Sequence, residues 1–186
     1  IMLKDFIRYS LPVILNEALW GFGAMIYPII MGHMDNAAVI LAAYTIAGNI
    51  ERLFGVAAFA SGNATSVIVG REIGAGRKDS VYSVGKSLIM LSFLFGLASG
   101  ILLFIATMTV MEPYIYPLFK LSAGAAQSCT IMLTIMSFVT VIRTLGFTMS
   151  IGVLRGGGDV NMVMYIDVGS LYFAALPAAA ISALVF

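Results

Sequence analysis

Charged residues along this chain gather in short stretches, and long apolar runs fill the space between them. The runs are Leu11–Met31, Ala37–Ile68, Ser87–Met111, Ala126–Leu154 and Met162–Phe186. A helix crossing a hydrocarbon core of about 30 Å needs about 20 apolar residues at about 1.5 Å each. All five runs reach that length, and the second is long enough to tilt or to run past the bilayer. None alternates with period two, and all far exceed strand length, so helices are predicted throughout. The fold class that follows is all-α: a polytopic transmembrane bundle of about five spans, taken as one lobe over residues 1–186.

Composition agrees. The chain is 61% hydrophobic and 10% charged, with a mean hydropathy of +1.03. A soluble domain carries roughly 25% charged residues, so lipid must serve as solvent for much of this surface. The net charge is +1 and the basic residues are scattered, which gives nucleic acid nothing to bind. A single cysteine, Cys129, precludes an intrachain disulfide. Lys4 and Arg8 precede the first run as in a signal peptide, but a signal core is about 7–15 residues and this run reaches Met31. The chain opens on Ile1 and stops at Phe186 inside an apolar run, so it reads as a fragment, with a sixth span expected after Phe186.

Alternating the spans assigns the charges to sides. One side collects Lys4, Arg8, Arg71, Arg77, Lys78, Lys86 and Arg155; the other holds Lys120, with His33, Asp35 and Glu112 nearby. By the positive-inside rule the first side is cytoplasmic, and so is the N-terminal end. A multi-pass protein of the plasma membrane is expected.

Two cytoplasmic turns share a pattern. Val69-Gly70-Arg71-Glu72-Ile73-Gly74-Ala75-Gly76-Arg77 follows the second span, and Val153-Leu154-Arg155-Gly156-Gly157-Gly158-Asp159 follows the fourth. This hints at an internal repeat of two spans. With the opening Ser10-Leu11-Pro12-Val13-Ile14-Leu15-Asn16-Glu17-Ala18-Leu19-Trp20, the chain resembles the C-terminal lobe of multidrug and toxic-compound extrusion (MATE) transporters. The opening is similar to the start of the family's seventh helix. The two Gly-Arg turns are similar to its loops between helices eight and nine and between ten and eleven. The resemblance implies a twelve-helix protein in which this lobe and an N-terminal lobe of the same protein face a central cavity. It implies export of small lipophilic organic cations in exchange for Na⁺ or H⁺, with membrane lipid around it and no cofactor beyond the coupling ion. The chain also departs from the better-described bacterial branch. Gly21 stands where that branch has its seventh-helix acid, and Arg143 and Thr144 occupy the region of its helix-ten acid.

Glu17, Glu51, Arg52, Arg143 and Asp167 fall inside the spans. A charge at the bilayer centre costs about 2.5–3.5 kcal/mol on insertion scales. Such residues face the bundle or a wet cavity, and they default to functional candidates. Glu17 lies beside Asn16 and shares a face with Trp20 at i, i+3. A carboxylate next to an indole suits a lipophilic cation, and it holds a proton, Na⁺ or drug one at a time, as antiport requires. The alternative role for Glu17 is to hydrogen-bond between helices. Asp167 is a second candidate carboxylate or a packing residue. Cation and substrate candidates are therefore Glu17, Asn16, Trp20 and Asp167. Glu51 and Arg52 point about 100° apart on one helix and cannot pair well with each other. Glu51 shares a stripe with Gly48, Gly55, Ala58 and Gly62; Arg143 shares one with Thr140, Gly146 and Ser150. A pair between Glu51 and Arg143 is plausible, and Glu51, Arg52 and Arg143 form a gating or structural set.

Other features carry less. Gly70–Gly76 lacks the Lys-Ser/Thr of a phosphate loop and follows a helix. Its glycines read as a tight turn. His33 has no second ligand at metal spacing, so no metal site is expected. Asn49 and Asn63 are further cavity candidates, while Pro28 and Pro177 are possible kinks. No enzymatic activity is expected, because a membrane-embedded enzyme needs a clustered His/Asp or Ser/His site and this chain has one His. A lipid-linked oligosaccharide flippase of related fold is the alternative to efflux, kept open by Arg52 and Arg143.

Overall fold

The computed structural model describes residues 2–185; the side chains of residues 2–5, 8, 9, 78, 184 and 185 lie outside that description. Lys4, Arg8 and Lys78 of the basic series, and Phe186 at the end of the fifth run, are therefore outside the described residues. The described chain is helical, with no strand. In order it contains α1 (Met2–Met31), α2 (Ala37–Gly74), α3 (Lys78–Ala106), π1 (Thr107–Ile115), α4 (Tyr116–Leu118), α5 (Ala123–Phe147), π2 (Thr148–Arg155), α6 (Val160–Gly169), π3 (Ser170–Ala175) and α7 (Leu176–Val185). Five of the resulting rods are long and apolar enough to cross a membrane: Ser10–Met31, Ala37–Gly74, Asp79–Leu118, Ala123–Arg155 and Val160–Ala183.

Three rods contain a π-helical segment that apolar patterning does not signal. π1 holds Pro113, and π3 ends just before Pro177. Proline removes an N–H and crowds the preceding turn, and a wider turn accommodates both. π2 has no proline but contains Gly152. Glu112, placed near a loop by hydropathy, sits inside π1.

The ends of the rods have local causes. The first Gly-Arg stretch is mostly helix: α2 runs to Gly74, and the turn is confined to the residues after it. Gly76 takes φ +75°, its N–H donates to the Ile73 carbonyl, and the Arg77 N–H reaches back to Glu72. That is a Schellman ending with glycine in the left-handed position, where other residues cost about 1–2 kcal/mol. The same ending follows α4, with Lys120 at φ +50° and the Leu121 N–H on the Tyr116 carbonyl. α5 opens on Ser122, whose hydroxyl accepts the Ala125 N–H, and α6 opens on Asp159, which accepts that of Met162.

By contact the chain groups into two compact units: Ile1–Ala37 with Gly158–Phe186, and Ala38–Gly157. In the first, α1 runs alongside α6, π3 and α7 in parallel. Asn16 meets Asp167, and the Tyr172 hydroxyl donates to the Leu19 carbonyl at 2.9 Å. Gly23 leaves room for Leu171, which a methyl group there would strike.

In the second unit α2 runs parallel to α5–π2, and α3 runs antiparallel to α5. Small residues make both approaches close. A Cβ on Gly156 would lie 2.7 Å from the Ser66 carbonyl oxygen, and one on Gly152 would lie 2.7 Å from Thr65. Between α3 and α5, a Cβ on Gly100 would come within 2.5 Å of the Ser137 carbonyl oxygen. Helices in lipid associate through such van der Waals contact, because burying apolar surface gains nothing when the solvent is itself apolar.

The interior of this unit is correspondingly polar for a core. Thr65, Ser92, Ser99, Thr107, Ser137, Thr140, Thr144 and Thr148 are buried, while Leu53, Val56, Leu102, Phe138 and Ile142 are exposed. Several buried hydroxyls bond within their own helices, as where Thr107 donates to the Leu103 carbonyl and Thr144 to that of Thr140, while Thr148 meets the Ser61 hydroxyl of α2 at 3.4 Å. An apolar cluster of Ala43, Ala47, Leu103, Met111, Tyr116, Cys129 and Leu133 joins α2, α3, π1, α4 and α5.

Candidate functional site

Polar side chains inside the spans form one cluster in each unit. In the first unit, Asn16 lies one helical turn after Pro12 and is buried, with 4% of its surface exposed. Its amide nitrogen donates to the Asp167 carboxylate at 3.4 Å. Its amide oxygen is buried with no hydrogen-bond partner among the described residues. Leaving a buried acceptor unmet costs about 1–3 kcal/mol, so this oxygen has a strong preference for a donor or a cation. A buried amide oxygen beside a carboxylate in a low-dielectric span is a donor set suited to a hard monovalent cation or a proton. Glu17, the next residue on α1, points about 100° away and is exposed in this chain. Trp20, on the Glu17 side, is 48% exposed. The structure thus brings Asn16 and Asp167 into contact and puts Glu17 and Trp20 on an accessible face of the same helix.

The second unit holds an ion pair. Arg143 on α5 donates through Nη1 to Glu51 Oε1 of α2 at 2.7 Å. The Glu51 side chain is 8% exposed and that of Arg143 is 38% exposed. The glycine and alanine stripe of α2 makes this possible. Glu51 shares its buried face with Gly55, Ala58 and Gly62, so α5 can approach closely. The Arg143 guanidinium also lies over the Phe147 ring, 5.6 Å from its centre, within cation–π range. Phe147 in turn packs on Phe59 at 4.5 Å between ring centres. Glu51, Gly55, Ala58, Thr140, Arg143, Thr144 and Phe147 line a shallow crevice that the arginine head fills, with no room left for a water-sized molecule.

Arg52 stands on the exposed face of α2 with Asn49, Val56, Phe59 and Asn63, and no ion pair to it occurs among the described residues. Phe147 and Tyr172 are the contributors that sequence reasoning passed over. Phe147 had a signal, since it is four residues after Arg143 and therefore its neighbour on the helix surface. Tyr172 had none; its partner on α1 is 153 positions away.

At the mouth between α2 and α3, Arg77 holds Glu72 with two hydrogen bonds of 2.8 and 2.6 Å, and the Ser80 hydroxyl adds a third at 2.8 Å. α2 is 38 residues long, about 57 Å at about 1.5 Å per residue, more than a core of about 30 Å can hold, and Glu72 lies past the apolar run that ends at Ile68. Arg77, then Ser80, hold the Glu72 carboxyl down at about 2, and Glu72 raises Arg77. His33 donates through Nδ1 to the Ile29 carbonyl oxygen at 2.8 Å. No group of three or more His, Cys, Asp or Glu gathers among the described residues.

The MatE family profile matches residues 12–181. Among curated proteins, Protein DETOXIFICATION 33 of Arabidopsis thaliana is 26% identical over 176 residues, covering 95% of this chain and 35% of the relative. The Probable multidrug resistance protein NorM of Thermotoga maritima is 27% identical over 176 residues, covering 95% of this chain and 36% of the relative. Protein DETOXIFICATION 35 of Arabidopsis thaliana is 27% identical over 175 residues, covering 92% and 34%. The chain therefore spans about a third of the length of these relatives. No solved structure matches. With the profile running through five apolar helices and across both Gly-Arg turns, this multi-pass membrane protein belongs to the MatE family.

Proposed function

We propose that this chain is part of a secondary active exporter that moves organic cations outward in exchange for Na⁺ or H⁺, with Asn16, Glu17, Trp20 and Asp167 forming its coupling and substrate region. The observation that carries the reading is the buried Asn16 amide, bonded to Asp167 on one side and with its oxygen unmet on the other. A membrane span tolerates such a group where a ligand completes it. With the Asn16 amide turned over, its oxygen would meet a proton or Na⁺ on Asp167, and both groups would be relieved. Glu17 and Trp20, exposed on the same helix, offer a lipophilic cation a carboxylate and an indole face. Coupling follows if the small cation and the drug compete for these carboxylates. The names of the relatives, multidrug resistance and detoxification, support the substrate class. The reading places the basic ends of the spans in the cytoplasm and the protein in the plasma membrane. It takes the N-terminal lobe of the same protein as partner and assigns no enzymatic step.

For the flippase alternative, Arg143 no longer counts as a free cation because Glu51 neutralises it, and only the exposed Arg52 still speaks for that reading.

The test is ethidium export by the full-length transporter in proteoliposomes under imposed H⁺ or Na⁺ gradients. Asp167→Asn and Glu17→Gln should each reduce gradient-driven export by at least about tenfold, the effect of removing one coupling charge worth about 1.4 kcal/mol. Export that both variants retain would sink the assignment of the site. Wild-type protein inert under either gradient would sink the antiport reading itself.

A further inference from the structure

The Glu51 crevice already contains a cation, the guanidinium of Arg143. That group sits as a ligand would: a short charge-assisted bond to a nearly buried carboxylate and a ring face beneath the cation. The walls fit a flat, delocalised head. Gly55 and Ala58 leave α2 without bulk, the Glu51 oxygen is 3.5 Å from where a Cβ on Gly55 would stand, and Phe147 is backed by Phe59. Thr140 and Thr144 spend their protons on the carbonyls of Met136 and Thr140, so each oxygen can only accept from a ligand. With two hydroxyl acceptors, one carboxylate and one aromatic face, the crevice has acceptors and no donor apart from the arginine itself.

We propose that this crevice is a binding site for planar organic cations of the guanidinium or amidinium type, and that Arg143 is its resident occupant. Arg143 is equipped to leave. Its side chain is 38% exposed while Glu51 is 8% exposed, so the long stem can swing the head outward and leave the carboxylate in place. An unpaired buried carboxylate is strongly unfavourable, so departure is coupled to entry of another cation. The ion pair then acts as a gate that opens only to a ligand able to replace a guanidinium. Small hydrated ions make poor replacements, because they lack the flat face that Phe147 recognises. That a transported drug is the natural competitor rests on the export reading above; the self-occupied site does not.

Equilibrium binding separates the two. Methylguanidinium and ethidium binding to the detergent-solubilised full-length protein would be measured for wild type, Arg143→Ala, Glu51→Gln and the double variant, without any ion gradient. A tethered occupant competes at an effective concentration in the millimolar range, so its removal should tighten methylguanidinium binding by at least about tenfold. The gain should vanish in the double variant and fall in Arg143→Ala with Phe147→Leu. Arg143→Met, which keeps the apolar stem, gives the same comparison should Arg143→Ala fail to fold. No gain on removing the arginine, or a gain that persists without Glu51, overturns the proposal. Because no transport is read, loss of the export reading would leave this result intact, and failure here would leave that reading intact.

Discussion

Glu72 illustrates how one side chain can be fixed by its nearest neighbours alone. It lies at the end of α2, with the Arg77 guanidinium across the turn and the Ser80 hydroxyl on its oxygen. Both partners stabilise the carboxylate and hold it at about 2. In an unfolded chain it would titrate near about 4.3. A carboxyl whose folded value is depressed adds stability above the unfolded value, and that contribution is lost as pH falls from there toward about 2. The ¹³C shift of the Glu72 carboxyl should therefore titrate with a midpoint near about 2 in the wild type and rise toward about 4.3 in Arg77→Ala. A wild-type midpoint already near the unfolded value would refute the clasp. This contact was not foreseen, although the spacing of five positions across a Gly-containing turn is a local signal.

Among the elements, the α3–α5 contact turns on a single missing atom. Gly100 faces the Ser137 carbonyl, which belongs to a helix backbone and cannot step aside. Gly100→Ala should push the two helices apart and cost about 1–3 kcal/mol, the usual penalty for overpacking. Gly85, on the same helix with nothing within 4 Å, is the control. Gly85→Ala should be neutral or stabilise by up to about 1 kcal/mol through helix propensity. Thermal unfolding of the two variants in one detergent decides it; equal effects would mean that the close approach is unimportant. The sequence announced the small residues on α2 as a contact stripe, because their spacing is helical and lies on one element. It gave no phase for α3 relative to α5, so Gly100 could not be told from Gly85.

Among the described residues the chain has the character of a protein turned outward to lipid: hydroxyls, glycines and the Glu51–Arg143 pair inside, many large apolar side chains outside. In the second unit, Arg71 and Arg155 close parallel rods, and a Cβ on Gly70 would lie 3.4 Å from the Gly156 carbonyl oxygen, so the two Gly-Arg turns are neighbours. Lys120 lies at the other end of the rod that begins at Asp79. Sidedness is directly testable by labelling. In a Cys129→Ser background, Phe119→Cys should react with an impermeant maleimide added to intact cells, and Tyr82→Cys should react only after lysis. Both wild-type side chains are exposed, at 57% and 80%, so access to reagent rather than burial governs the result. Labelling of Tyr82→Cys from outside would reverse or abolish the proposed orientation.

What the sequence determined by itself was whatever depends on runs of neighbouring residues: helices rather than strands, five membrane-crossing rods and the segregation of basic residues among the turns. Hydropathy and charge sort each segment independently, so no knowledge of its neighbours is needed. Tertiary structure alone decided which intramembrane polar groups meet. Asn16 reaches Asp167 across 151 positions and Arg143 reaches Glu51 across 92, whereas Arg52, one residue from Glu51, is turned outward. Pairing depends on the depth and rotation of two helices at once, and a step of about 100° per residue moves a side chain from the contact to the lipid. The grouping into two units was likewise beyond the sequence, because it rests on contacts between rods rather than on the rods themselves.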